Sequence, residues 1–397
     1  MKLLVAPGFN FSCSRCGHCC NSYPVPLTAL DLERLQSAEG GQPIPVRRLT
    51  SEPGLSQSFK AVLLKGDDGF CNYFEGSAGS SRCLLQDTAK PQMCRLFPFT
   101  FLHAPDGILS GLSFSSTAVC LNFGEPLTSQ TATLEQMLSL FEELNPGLKD
   151  KTKAEFSRLT LAADLPLSFD LYLPLQKTME EELWQIMGRK QRAIALQALA
   201  LLFGNLREMA DNYGGIAPQP GEVWFDLALI ETYLACFFSE REEGSLSLEE
   251  QLINQLTIFS QERQLPMPLT ARLQSASLDL PASVLLEDLF ARFACMRLFA
   301  RLYFGPGFSG LSLTAGLGHL FLMLLVAYLR VKLDYVEALE NGIEMSEEAL
   351  FETAVRRIRQ VEGKWTSLRY GSREAINMLE LAFLDGLRPL RLLDLAL

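Results

Sequence analysis

Eight of the ten cysteines in this 397-residue chain fall between Cys13 and Cys120, and four of those are packed into Cys13-Ser14-Arg15-Cys16-Gly17-His18-Cys19-Cys20. Thiols crowded this densely are disulfide staples or metal ligands, and either use dictates the fold around them. The chain is 48% hydrophobic, enough to bury a large core without staples. Its first residues, Met1-Lys2-Leu3-Leu4-Val5-Ala6, start like a secretion signal, but Pro7-Gly8 ends the apolar run well short of the ~7–15 residues of such a region. The expectation is therefore a cytoplasmic protein with reduced thiols, in which a cysteine cluster reads as metal-binding and not as a disulfide framework.

The spacing refines this. Cys13, Cys16 and Cys19 follow a C-x2-C-x2-C pattern, which lets three thiolates converge from one tight loop. Cys20 follows Cys19 directly, and neighbouring side chains tend to point apart, so Cys20 is expected to serve a second centre or to bridge to a later ligand. That later group is Cys71, Cys83, Cys94 and Cys120, which only the fold can bring together. Eight thiolates suit two four-thiolate sites, or one iron–sulfur cluster plus one zinc. His18 and His103 are further residues of ligand type. Arg95, beside Cys94 between Pro91 and Pro98, would place a guanidinium next to a thiolate-rich site and lower thiol pKa values there.

Charge separates the chain into two parts. Residues 1–125 carry ten basic and ten acidic residues, leaving 25 basic and 36 acidic residues, and the whole net charge of −11, to residues 126–397. A neutral head and an acidic body exclude a phosphate backbone as the natural partner, because that binding is driven by Lys and Arg. The fold class expected is α+β, with a small Cys-rich domain of short hairpins over 1–125 and a mostly α-helical domain over 126–397. Within the first, Phe59–Lys65 and Phe70–Phe74 read as a hairpin around Gly66-Asp67-Asp68-Gly69, and Phe99–His103 with Ile108-Leu109 as another around Pro105-Asp106-Gly107. Thr28 reads as the N-cap of a short helix, and Gly76–Ser81 as a flexible loop.

Beyond residue 130 the periodicity is helical, with helices expected near 132–144, 151–162, 177–203, 222–240, 247–264, 283–303, 311–334, 346–362 and 373–386, and no strong strand signal. Ser346 marks the start of one helix and Gly363 its stop. Leu311–Leu329 approaches membrane-spanning length, but its polar residues and its continuation into Arg330-Val331-Lys332 favour a central buried helix. Gly305-Pro306-Gly307-Phe308-Ser309-Gly310 fits G-x-G-x-x-G, yet no strand precedes it, so it reads as a turn with Ser309 or Ser312 capping the next helix. His319, Cys236 and Cys295 read as core residues on apolar helical faces, and Arg356, Arg357 and Arg359, following Glu352 on one helix, as a salt-bridged solvent face.

Several motifs then combine: Phe11-x-Cys13-x-x-Cys16-Gly17-x-Cys19-Cys20, Pro26-Leu27-Thr28-x-x-Asp31 with Arg34-Leu35, Cys71, Cys83, and Lys90-Pro91-x-x-Cys94-Arg95-x-Phe97-Pro98. In this order they resemble the CxxCxxCC (YkgJ-like) family of bacterial cysteine-cluster proteins, over about residues 9–123. The resemblance implies a zinc- or iron-chelating domain whose ligands are Cys13, Cys16, Cys19, Cys20, Cys71, Cys83, Cys94 and Cys120, with zinc and a 4Fe–4S cluster both open. The family includes flagellin lysine-N-methylase-like proteins of similar length. By that route it implies S-adenosylmethionine and methyl transfer to a flagellin-like protein substrate, with no catalytic residue carried over. A third option is a zinc-stabilised interaction module without enzymatic activity.

Overall fold

The computed structural model describes residues 2–40, 42–49, 58–76, 81–214, 223–238, 247–262, 279–367, 372–394 and 397. Residues 77–80 of the expected Gly76–Ser81 loop, and the expected helix ends at 222, 239–240 and 263–264, lie outside the described residues. The chain forms two compact units, Met1–Lys153 and Ala154–Leu397.

The first unit contains three small sheets. In order, its elements are β1 (Leu3–Val5), α1 (His18–Ser22), β2 (Val25–Thr28), α2 (Ala29–Ala38), β3 (Val46–Arg48) and β4 (Phe59–Leu63). There follow β5 (Phe74–Glu75), β6 (Arg82–Cys83), α3 (Gln92–Leu96), β7 (Phe99–Ala104), β8 (Gly107–Leu112), α4 (Thr117–Cys120) and α5 (Thr131–Leu144). The expected hairpin around Pro105-Asp106-Gly107 forms, as β7 pairs antiparallel with β8 from Phe99↔Leu112 to Ala104↔Gly107. β1 adds in parallel to the other edge of β8. Gly107 permits that close approach, since a Cβ there would stand 2.9 Å from the Lys2 carbonyl.

The other expected hairpin does not form. β4 lies between β2 and β3, paired antiparallel with both, so neither of its edges is left for Phe70–Phe74. That segment instead makes a single bridge, Lys65↔Cys71, and then the two-residue ladder of β5 with β6. A small core of Leu27, Leu35, Leu63, Tyr73 and Leu85 sits beneath, with Cys71 and Cys83 packed partly buried against it.

The division expected after residue 125 and the boundary of the compact unit at 153 differ because α5 docks on the first unit. Phe141 meets the Phe101 ring at 5.6 Å, and Glu142 approaches His103. The unit boundary falls within α6 (Leu148–Phe156).

Among its described residues the second unit is helical apart from one short strand pair that the periodicity does not signal. Thr160–Ala162, expected to be helical, is β9 and pairs antiparallel with β10 (Leu165–Pro166). The helices are α7 (Phe169–Ile186), α8 (Ile194–Gly214), α9 (Val223–Phe238), α10 (Leu248–Glu262), α11 (Val284–Phe299), α12 (Leu313–Glu340), α13 (Glu347–Ser367), α14 (Arg373–Ala382) and α15 (Arg388–Leu393).

The single helix expected over 177–203 is two helices. Gly188 adopts a left-handed backbone after α7, and its N–H donates to Asp288 at 3.0 Å. The buried Glu287 carboxylate then accepts the N–H groups of Ala193 (3.0 Å) and Ile194 (3.3 Å), satisfying the orphan donors at the start of α8. α13 is capped by Ser346 as expected but runs through Gly363 to Ser367. Of the expected salt-bridged face, Arg357 pairs with Asp334 of α12.

α12 is the centre of this unit. Leu313 to Leu329 are buried without a break, the mark of a helix packed on all sides. It is the one helix among the described residues long and apolar enough to cross a membrane, and 94% of its most apolar window is buried in protein.

Candidate metal centre

The cysteine octapeptide folds into a loop and one short helix. Gly17, with φ of 74°, starts α1 in a left-handed conformation, and its carbonyl accepts the Cys20 N–H at 2.9 Å. A Cβ on Gly17 would lie 2.5 Å from the Phe74 ring, so only glycine lets this loop rest on β5. The loop is anchored on both sides of Cys16. Ser81 donates its N–H (3.3 Å) and its hydroxyl (2.5 Å) to the Arg15 carbonyl. On the other flank His18 Nδ1 lies 2.9 Å from Thr117 Oγ1.

The distant cysteines arrive through main-chain contacts. Cys71 donates its N–H to the Cys20 carbonyl at 3.0 Å, which fixes those two residues side by side. Phe74 donates to the Cys71 carbonyl and pairs with Cys83 across β5 and β6, so Cys71 and Cys83 share one turn-and-ladder unit. Cys94 lies on α3. Cys120 is fully buried on α4, its thiol donating to the Phe114 carbonyl at 3.1 Å. The chain before Cys13 is tied to the segment after Cys120, because Ser12 donates to Phe123 (2.8 Å) and Phe11 to Glu125 (2.9 Å). All ten cysteines are free thiols.

Burial and neighbouring charge raise three of these thiols. Burial, and then the Cys71, Cys83 and Cys13 thiols, push Cys20 up to about 11, with Lys90 opposing. Burial, and then Cys71, Cys83 and Cys20, push Cys94 up to about 12, again against Lys90. Cys71 is raised by burial and by Cys83, opposed by a backbone hydrogen bond at Tyr73 and by Lys65. Burial in turn lowers Lys65, with Cys71 and Cys20 opposing. Cys20, Cys71 and Cys94 and the thiols that raise them come from four separate stretches of chain, with Lys65 and Lys90 opposing. Among the described residues no three ligand-type side chains stand close enough to close on a single ion. The thiols are neighbours, not a finished coordination shell.

The donor set nevertheless fits a thiophilic metal. Its members are soft; burial first and then neighbouring thiols raise Cys20, Cys71 and Cys94, and a cation among them would offset that repulsion. The positive charge comes from a different place than expected. Arg95 is exposed, and Lys90 and Lys65 are instead the cations that oppose the rise at Cys20, Cys71 and Cys94. Lys90 was legible in Lys90-Pro91-x-x-Cys94, whereas nothing local marked Lys65. His103 is buried with its Nε2 3.2 Å from Glu142 Oε1, and burial lowers its pKa against that carboxylate.

Residues 12–119 match the CxxCxxCC family model. That family is described as a "Putative zinc- or iron-chelating domain". The match takes in seven of the eight clustered cysteines and stops one residue before Cys120. No curated protein and no solved structure matches the chain.

Proposed function

We propose that the first unit holds zinc or an iron–sulfur cluster through cysteine thiolates. One observation carries this reading: Cys71 donates its N–H to the Cys20 carbonyl while Cys83 pairs with Phe74, three residues after Cys71, so cysteines from three separate stretches gather within the segment that matches the family model. Cys20, Cys71, Cys83 and Cys94 make one four-thiolate set. Cys13, Cys16, Cys19 and Cys120 make the second, supported by the hydrogen bonds that tie the Cys13 loop to the chain on either side of Cys120. Bound metal would supply either a structural cross-link or an electron-transfer centre. The chain's own contribution is to gather the thiols and to offset their negative charge with Lys65 and Lys90.

Methyl transfer rests on resemblance and length alone. The glycine motif at 305–310 is a short 3-10 turn between two helices, with Ser312 capping the helix that follows. The metal-holding reading is therefore the one the observations favour. Its test is anaerobic purification followed by metal analysis and an absorption spectrum. Iron with broad visible absorbance assigns a cluster, colourless protein with zinc assigns a structural site, and metal-free protein refutes both.

A further inference from the structure

Asp31 is almost fully buried, 1% exposed, and both of its oxygens are in use. Oδ2 accepts the Thr28 N–H at 3.0 Å, while the Thr28 hydroxyl accepts the Asp31 N–H at 3.1 Å. That reciprocal pair is a capping box and accounts for the start of α2. It does not account for Oδ1, which reaches 61 residues along the chain to accept the Gln92 N–H at 3.0 Å. The Thr28 hydroxyl, 2.9 Å from Asp31 Oδ2, also lies 2.8 Å from Gln92 Oε1, so the first residue of α3 is gripped at both backbone and side chain.

α3 has five residues, too few to hold an orientation by its own hydrogen bonds. Gln92 opens it, and Cys94 follows two residues later. The direction in which α3 leaves Pro91 sets where the Cys94 thiol points, and the Asp31 carboxylate is the charged group fixing that direction. Loss of such an outer hydrogen bond commonly weakens a metal site although no ligand is removed.

We propose that Asp31 is the positioning residue for Cys94 in metal binding. The inference rests on the metal reading above and adds a specific requirement to it. An Asp31→Asn side chain keeps the shape but presents an NH2 group to either the Thr28 or the Gln92 N–H, so one anchor is lost.

The test loads the full chain with cobalt(II) and measures thiolate-to-cobalt charge-transfer intensity per bound ion, with unfolding followed separately. Asp31→Asn should stay folded and lose about one thiolate's share of the intensity, with affinity ~10–100-fold weaker. Cys94→Ser should give the same spectrum, and the double variant should show no further loss, because Asp31 acts through Cys94. Full intensity at unchanged affinity in Asp31→Asn, or losses that simply add in the double variant, would overturn the assignment. A purely structural role would lower stability and leave the intensity per ion unchanged.

If Asp31→Asn does not fold, Gln92→Pro serves in its place. It deletes the N–H donor at a first helical position that proline tolerates, and it should give the same loss. Absence of any charge-transfer band in the unaltered protein would refute the metal reading itself, an outcome distinct from failure of the Asp31 assignment.

Discussion

Cys71 donates its backbone N–H to the carbonyl of Cys20 at 3.0 Å, and Lys65 donates its ammonium to the next carbonyl, that of Asn21. One backbone junction thus brings together two thiols and a cation. Lys65→Met should leave the backbone pairing intact and weaken metal retention by about tenfold, with Lys90→Met acting in the same direction. Arg95→Met should change nothing, since that side chain is exposed. Competition with a chelator measures all three. An Arg95 effect as large as that of Lys65 would contradict this account of the charge.

Gly17 makes a second prediction. Alanine there must adopt a left-handed backbone, costing about 1–2 kcal/mol, and must also push aside the Phe74 ring. Denaturant unfolding of Gly17→Ala should show at least that loss. Adding Phe74→Leu should recover the steric part and leave the backbone part.

Glu287 sets a pH dependence in the second unit. Burial lifts its carboxyl from 4.5 to about 7, against the N–H donors of Ala193 and Ile194 and the Tyr328 hydroxyl. The folded state then holds the proton more tightly than the unfolded state does. Its contribution to stability is greatest below pH 4.5 and falls by roughly 3 kcal/mol as the pH rises through 7. Glu287→Gln should lack that decline when melting is compared across the interval.

His319 acts in the opposite sense. It is enclosed by the rings of Tyr233, Phe308 and Trp365, and burial pushes its pKa down to about 3. The unfolded state binds the proton first, so stability is lost as the pH falls below 6.5, by up to about 1.4 kcal/mol per unit. His319→Phe should resist acid better than the unaltered chain. Equal acid sensitivity in the two proteins would rule out His319 as the cause.

What the sequence revealed followed how local the physics was. The Thr28 cap, the 99–109 hairpin, the Ser346 cap and the all-round apolar α12 each depend on neighbouring residues, and each was legible. The pairing of β4 was not, because its partners β2 and β3 lie far along the chain while a nearer, plausible partner stood at Phe70–Phe74. The break between α7 and α8 depends on Glu287 and Asp288, roughly a hundred residues away. In the metal centre the cysteines announced themselves by spacing, but the grouping did not. Cys20 stands beside Cys71 through a backbone hydrogen bond that no motif encodes. Asp31 was visible as part of a motif, while its hydrogen bond to Gln92 was not.

The most direct test of the central claim is the metal content of the full chain purified without oxygen, measured beside Cys20→Ser and Cys71→Ser variants. The account predicts about one or more zinc ions or one iron–sulfur cluster per chain, sharply reduced in both variants while the helical second unit still melts cooperatively. Substoichiometric metal in the unaltered protein, or content unchanged by both substitutions, would contradict it.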